Sequence, residues 1–497
     1  MTWNVVLGPP GTGKTTYLLS KVEEHLEKGT PPDRLGYLAF TKKAANEALD
    51  RAMDKFDYSP DDLPYFRTLH SLCYRWLGFN KNDVLARSDL RDLSIKIGEK
   101  INSAWDGENL MSLSSSGDEM LFLENMARNK LQDYLSAWNE SAPDISFMHF
   151  DWFVRNYKAF KQSNFLIDYT DMLDMFCSSP DKPKLEVLII DEAQDLSALQ
   201  WQCVAKLAEG VEHVYIAGDD DQAIYKWAGA DVNQFINLEG KLTYLKQSYR
   251  VPRKVHDVAL RIVKRIGNRK EKVWEPRSLE GTVNRHVSFE HIDMSVGEWL
   301  VLARNNYLLT QVEEHLRKVG KVYEKNSKPS VSPILLNAIL DWERLRKGER
   351  VQADKIRKIY GYMRAGKEVR RGFKTLKTAV GDEMLSIQDL KRVYGLMVDT
   401  IWHECFKLIG NTQREYLISC LRNNEKLSES KIRLNTIHAS KGGESENVVI
   451  LSDMARRSYD ELYTNPDNEC RTFYVGVTRT KNNLHLVNGK TRREFIF

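Results

Sequence analysis

Eight residues near the amino terminus, Gly8-Pro-Pro-Gly-Thr-Gly-Lys-Thr15, fit the spacing GxxxxGK[ST] and restrict the fold more than any other stretch of the 497 residues. Such a loop works between a buried strand and the first turn of a helix, where backbone N–H groups and the positive end of the helix dipole converge on phosphate. The flanks supply that context. Thr2 to Leu7 reads as a short buried strand, and Thr15 to Glu27 has helical apolar spacing. Pro9 and Pro10 lack an N–H and only shape the loop. The candidate nucleotide-binding set is therefore Gly8, Gly11, Thr12, Gly13, Lys14, Thr15 and Thr16. Within it Lys14 would neutralise the β- and γ-phosphates and the Thr15 hydroxyl would hold Mg²⁺.

Further along, Leu188-Ile-Ile-Asp191-Glu192 places two carboxylates at the C-terminal end of a buried apolar strand, where open α/β sheets bind their ligands. Asp191 is positioned to bind Mg²⁺, usually through its waters, and Glu192 to take the proton from an attacking water. The two halves of a nucleoside triphosphatase site thus occur in order along the chain.

Other short apolar runs, Tyr37 to Phe40, Val187 to Ile190 and Val214 to Ala217, alternate with helical stretches, the pattern of a parallel sheet covered by helices. A second set runs from Leu242 to Leu245 through Trp299 to Ala303, Ile432 to Ile437, Val448 to Leu451 and Leu484 to Val487, so two α/β cores are expected. At roughly 150 residues per domain the length allows about three units. Strand-poor stretches, from about Asn80 to Lys161 and from about Lys347 to Glu425, read as helical insertions.

A content of 42% hydrophobic and 29% charged residues excludes a disordered or low-complexity chain. No stretch reaches the roughly 18 consecutive apolar residues of a membrane span, and no charged-then-apolar leader opens the chain. A cytoplasmic, soluble protein with no membrane partner is expected. The six cysteines form no CxxC pair, which argues against a zinc or iron–sulfur site and for reduced thiols. Net charge is only +4, but Arg344 to Lys377 holds 13 basic and 3 acidic residues, and Pro252 to Lys272 holds 8 and 2. Both stretches read as polyanion-binding patches.

The segments Asp191-Glu-Ala-Gln-Asp195, Gly218-Asp-Asp-Asp-Gln-Ala-Ile-Tyr-Lys-Trp-Ala-Gly-Ala230, Gln247-Ser-Tyr-Arg250, Thr436-Ile-His-Ala-Ser-Lys-Gly442 and Tyr474-Val-Gly-Val-Thr-Arg479 resemble the ordered motif series of the UvrD/Rep-like superfamily 1 DNA helicases. Phe40-Thr-Lys-Lys-Ala-Ala45, Thr68-Leu-His-Ser71 and Ile167-Asp-Tyr-Thr-Asp-Met-Leu173 resemble the weaker intervening motifs. The resemblance implies an α/β fold with two RecA-like parallel-sheet cores and two mainly helical inserted subdomains. The first core would take 1–79 and 162–240 around an insertion at 80–161. The second would take 241–346 and 426–497 around a basic insertion at 347–425.

It also implies roles. Gln222 becomes the γ-phosphate sensor, and Arg250 and Arg479 the arginine fingers reaching the phosphates from the second core. Tyr249 would stack on adenine and Glu444 would sit near the ribose. Phe40, Tyr225 and Trp227 match aromatics that stack on DNA bases, with Thr41, His70, Thr436 and His438 beside the strand. Stacking on π-faces is sequence-tolerant, which suits a motor that must pass every sequence.

Three departures bear on function. Only seven residues precede Gly8, so the family's adenine-reading glutamine segment is not expected. The loop has Pro-Pro-Gly-Thr-Gly where the family more often carries Ala and Ser, and the second insertion is shorter than in the larger members. No nuclease motif is expected after the final strand. Together these features imply an ATP- and Mg²⁺-dependent 3′-to-5′ translocase and helicase of replication or repair, acting as a monomer on single-stranded DNA and single/double-strand junctions. The alternative is a nucleotide-switched clamp that binds DNA without unwinding it.

Overall fold

The computed structural model describes residues 3–102, 115–377, 379 and 381–497, so part of the expected first insertion, 103–114, lies outside the described residues. The chain forms two compact units, Met1–Glu280 with Glu461–Thr478, and Gly281–Asp460 with Arg479–Phe497.

The first unit is built on six strands, β1 (Trp3–Leu7), β2 (Leu35–Ala39), β3 (Phe66–Thr68), β4 (Val187–Ile190), β5 (His213–Gly218) and β6 (Lys241–Tyr244), in the order β3-β2-β4-β5-β1-β6 with every neighbour parallel. Successive side chains on a strand face opposite sides. Val5, Leu7, Leu188 and Ile190 accordingly pack on one face with helices Tyr169–Ser178 and Ala198–Ala208, while Val6, Val187 and Ile189 pack on the other with helices Lys14–Glu27 and Lys42–Phe56. The continuous apolar runs of β1 and β4 follow from this two-sided burial.

The first insertion carries helices Arg87–Ile97, Ser116–Asn129, Tyr134–Ser141 and Phe147–Ser163 around a core of its own that includes Leu93, Met120, Phe150 and Phe153.

The second unit holds β7 (Thr282–His286), β8 (Trp299–Ala303), β9 (Tyr323–Lys325), β10 (Lys328–Pro329), β11 (Val351–Gln352), β12 (Met384–Leu385), β13 (Ile432–Thr436), β14 (Ser445–Leu451) and β15 (Thr480–Val487). Seven form a sheet in the order β10-β9-β13-β8-β14-β15-β7, parallel except for the β9–β10 hairpin, and β11 pairs with β12 alone. Unlike the first insertion, the second shares one continuous core with its sheet, in which Trp342, Tyr360 and Phe406 are fully buried beside Val301 and Leu434.

Two expectations are corrected. The strand expected to open the second core, Leu242 to Leu245, is β6 of the first sheet, paired with β1 from Asn4↔Lys241 to Leu7↔Tyr244. The division expected at 240/241 falls between Glu280 and Gly281, and residues 461–478 return to the first unit. The reason is packing: helix Pro466–Val477 lies against helix Arg253–Val263, and Arg471 donates through Nε to the Asp220 carbonyl at 2.8 Å.

Candidate active site and nucleic-acid surface

Because all six strands of the first sheet run in parallel, the segments leaving their C-terminal ends gather along one edge. Those segments are the phosphate loop after β1, Phe40 after β2, His70 after β3, Asp191-Glu192 after β4, Asp219–Gln222 after β5 and Gln247–Arg250 after β6. All the candidate residues of this unit therefore share one sheet edge.

In the loop, Gly11 and Gly13 adopt positive φ of 71° and 78°, which a side chain would strain. Gly11 is constrained twice, since a Cβ there would lie 2.4 Å from the Arg250 Cβ. Thr12 Oγ1 donates to the Pro9 carbonyl at 2.8 Å, and Lys14 curls back so that Nζ donates to the Gly8 carbonyl at 2.8 Å. Thr15 and Thr16 fall in the first turn of helix Lys14–Glu27.

Thr15 Oγ1 donates to Asp191 Oδ2 at 3.0 Å, and the buried Tyr37 hydroxyl reaches the same oxygen at 3.1 Å. Burial first, then the adjacent Glu192 charge, push the Asp191 carboxyl up to about 6, against the pull of Lys14 and the two hydroxyls. A buried carboxylate in that state gains from a cation, and a hard ion that takes one or two carboxylates plus phosphate oxygens suits a hydroxyl–carboxylate pair. The residues present fit Mg²⁺. Glu192 lies 3.6 Å from Lys14 Nζ, and its backbone is left-handed at φ 56°, a conformation of order 1–3 kcal/mol above the usual ones and typical of functional turns.

The hydrogen bonds continue beyond the two carboxylates. Gln194 Nε2 donates to Glu192 Oε2 at 2.6 Å, Gln194 Oε1 accepts from the Asp219 N–H at 3.0 Å, and Gln222 Nε2 donates to Asp219 Oδ2 at 2.7 Å. Glu192 and Gln222 are thus joined through Gln194 and Asp219. The segment after β6 closes over the loop: Ser248 Oγ donates to the Pro10 carbonyl at 2.7 Å and the Tyr249 N–H to the Gly11 carbonyl at 2.8 Å, leaving the Tyr249 ring 73% exposed. Arg250, expected on the second core, belongs to the same unit as the loop it touches. Sequence reasoning missed Tyr37, Gln194 and Ser248. Of these, Gln194 and Ser248 stand inside motif segments, but their partners become visible only in the fold.

Phe40 and Tyr225 stack with ring centroids 5.2 Å apart, and Trp227 follows at 6.0 Å from Tyr225, so the three candidate aromatics form one cluster. Thr41 caps helix Lys42–Phe56 by accepting from the Ala44 N–H at 3.3 Å. His70 sits edge-on to Tyr169 at 5.9 Å, and burial of its ring, then the charge of Lys42, lowers its pKa to about 4, so it stays neutral.

The second unit holds the remaining candidates at two edges of its sheet. Thr436 and Leu451 both align with Ala303, while Ser445 aligns with Thr480. Thr436 and His438 therefore lie at the C-terminal edge, and Glu444 and Arg479 at the N-terminal edge, about 20 Å away at ~3.3 Å per residue. Glu444 pairs with Lys481 at 2.5 Å, and Arg479 donates through Nη1 to the Gly443 carbonyl at 3.3 Å.

Of the basic stretches, Arg344 to Lys377 keeps Lys347, Arg350, Lys355, Lys358, Lys367 and Lys377 exposed, while Arg344, Arg346, Arg357 and Arg364 pair with nearby carboxylates. The patch expected over Pro252 to Lys272 loses Arg269 and Lys272, whose charges are committed to internal aspartates. Among the described residues no helix is long and apolar enough to cross a membrane.

A profile of the UvrD/REP helicase N-terminal domain matches residues 2–243, and one of the UvrD-like helicase C-terminal domain matches residues 125–491. The ATP-dependent DNA helicase PcrA of Bacillus subtilis is 25% identical over 389 residues, covering 72% of this chain and 50% of the relative. PcrA of Leuconostoc citreum is 25% identical over 366 residues, covering 64% and 47%. The chain spans about half the length of the curated relatives it matches.

Proposed function

This chain belongs to the UvrD/Rep-like helicases, and from that membership we propose that it is an ATP-dependent DNA helicase that moves 3′-to-5′ along single-stranded DNA and opens duplex at junctions. The observation that carries the proposal is the single sheet edge on which a phosphate loop, a Thr15–Asp191 pair at 3.0 Å, the Glu192–Gln194–Asp219–Gln222 chain and a stacked Phe40–Tyr225 pair all sit. Phosphate chemistry and base stacking are thereby built on one rigid support.

Mg²⁺, held by Thr15 and Asp191, would supply charge neutralisation for the phosphates. Lys14 and the N–H groups from Gly11 to Thr15 bind and orient the phosphates. Glu192, beyond Lys14, accepts the proton of the attacking water, and Gln194 fixes its carboxylate. Gln222 reads the terminal phosphate, Tyr249 offers an exposed face to a base, and Arg250 places a cation at the loop. Arg479 is assigned the second transition-state cation and Glu444 the ribose contact, both on the motif resemblance. Phe40, Tyr225 and Trp227 take DNA bases, with Thr41, His70, Thr436 and His438 along the strand.

Two assays test this. ATP hydrolysis should rise at least tenfold with single-stranded DNA, and a duplex with a 3′ single-stranded tail should be unwound in preference to one with a 5′ tail. Preference for the 5′ tail would overturn the polarity. Slow hydrolysis with no strand displacement would favour the clamp.

A further inference from the structure

Three consecutive aspartates follow β5, and all are buried: Asp219 and Asp220 are 0% exposed and Asp221 is 1%. Adjacent buried carboxylates repel one another and have lost their hydration, so the loop stands only if cations reach it. One cation meets all three. Lys272 Nζ lies 3.0 Å from Asp219 Oδ1 and 3.0 Å from Asp221 Oδ2, with a still shorter contact to Asp220 Oδ1, and its side chain is 1% exposed. Burial works to lower its pKa, but the charges of Asp219, Asp221 and Asp220 more than offset this and raise it. Arg269 grips Asp221 with two parallel bonds at 2.7 and 2.6 Å, and the Lys270 N–H donates to Asp220 Oδ2 at 2.8 Å.

Asp219 is the shared member. One of its oxygens faces Lys272, and the other accepts from Gln222 Nε2 at 2.7 Å. Its backbone N–H donates to Gln194, which holds Glu192. Tyr225 and Trp227, the stacking candidates, follow Gln222 by three and five residues. The cluster also gathers both chain segments that continue into the second unit: Lys272 stands nine residues before Gly281, and Arg471, which donates to the Asp220 carbonyl, eight residues before Arg479.

We propose that Lys272 is a positioning residue for hydrolysis: by fixing the Asp219 carboxylate it holds Gln222 in register with Glu192, so that displacement of the aromatics on DNA reaches the phosphate side of the loop rather than being absorbed by it. This rests on the helicase reading of the same site. Arg269 contributes charge, whereas Lys272 contributes the Asp219 contact. The basic stretch Pro252 to Lys272 therefore does internal work at its end, which explains why its last cation is not at the surface.

The test measures kcat and KM for ATP, with and without an oligo-dT strand, for wild type, Lys272→Met and the double variant Lys272→Met/Asp220→Asn, together with thermal melts. The double variant restores the net charge of the cluster without restoring the contact to Asp219. Lys272→Met should keep KM for ATP within about threefold and lose at least tenfold in DNA-stimulated kcat. The double variant should regain melting temperature yet remain at least tenfold low, a split that a merely structural lysine would not produce. Wild-type stimulation in either variant overturns the positioning role, and failure of both variants to fold replaces it with a purely structural one. A wild-type protein whose hydrolysis is not stimulated by DNA overturns the helicase reading and this inference with it.

Discussion

Gln194 offers the most direct test of how the candidate site is wired, because it is fully buried and each end of its amide serves a different segment of that site. Gln194→Met keeps the length of the side chain and removes three hydrogen bonds, to Glu192 Oε2 at 2.6 Å, to Asp195 Oδ2 at 3.2 Å and from the Asp219 N–H at 3.0 Å. The costs differ by partner. The Glu192 side chain is 30% exposed, so water can replace the lost donor at little expense. The Asp219 N–H is buried, and a buried polar group left unmatched costs about 1–3 kcal/mol. The first unit should therefore lose roughly 1–3 kcal/mol of stability, read as a shift of the urea midpoint at unchanged slope. Activity should fall for a separate reason: a Glu192 carboxylate no longer pinned samples more orientations, and kcat for ATP should drop about 10- to 100-fold with KM nearly unchanged. A variant whose midpoint is unmoved and whose kcat stays within threefold of wild type would refute the bridge between Glu192 and Asp219.

Lys14→Ala or Glu192→Gln should abolish turnover and leave binding to single-stranded DNA intact; turnover within tenfold of wild type in either would remove that residue from the site. Arg250→Ala and Arg479→Ala should lower kcat by orders of magnitude with smaller effects on nucleotide affinity, and a loss confined to affinity would end the finger assignment for that residue. Neutralising Lys355 and Lys358 should flatten the slope of log K against log salt for DNA binding by roughly 0.7 to 0.9 per lost contact, whereas an unchanged slope returns these lysines to a solvated face. Glu124, buried in the first insertion with Oε2 lacking a hydrogen-bond partner among the described residues, has its pKa raised to about 7 by burial, against the charge of Arg128. Its neutral form favours the fold, so its contribution is complete below the ordinary value of 4.5 and declines as pH rises through about 7. Glu124→Gln should thus gain on wild type between pH 5 and pH 8, by up to about 3 kcal/mol, and parallel stability curves would contradict this.

What the sequence disclosed and what it withheld divide along physical lines. β1, β2, β4, β5 and β8 announce themselves as apolar runs because both faces of an inner parallel strand are buried. β3, Phe-Arg-Thr, and β7, Thr-Val-Asn-Arg-His, lie at sheet edges, the first too short and polar to form an apolar run and the second mostly exposed. The local pattern of Leu242 to Leu245 marks a strand correctly but carries no information on which sheet it joins, since pairing with β1 spans more than two hundred residues. In the candidate site, Lys14, Thr15, Asp191 and Glu192, which the fold brings together, were legible as candidates because the proposed chemistry demands fixed residue types at fixed offsets from a strand end. Lys272 and Ser248 were not, because one bond from each reaches across fifty or more residues to a backbone or carboxylate whose burial only the fold reveals. The surplus of positive charge from Pro252 to Lys272 was visible, but whether a cation faces solvent or an aspartate is again a property of packing.

On the proposed DNA-binding role, the aromatic cluster sets a condition on how bases enter. With centroids 5.2 Å apart, Phe40 and Tyr225 leave no room for a base between them, since two aromatic contacts at about 3.5 Å each need roughly 7 Å. Parting the rings gives up about 0.5–1.5 kcal/mol of aromatic pairing, and a stacked base returns about 1–3 kcal/mol, so insertion is favourable but not by much. The two rings differ in freedom. Phe40 directly follows β2, an inner strand paired on both sides by β3 and β4, whereas Tyr225 lies on the loop beyond Gln222. Tyr225 is therefore the ring that yields. It stands three positions after Gln222, which is held through Asp219 to Gln194 and Glu192, so on the proposed reading admission of a base and the placement of the phosphate-side groups are motions of one short segment. On the proposed helicase reading, a gain that small holds a base without trapping it, which a translocating motor requires of every pocket it uses.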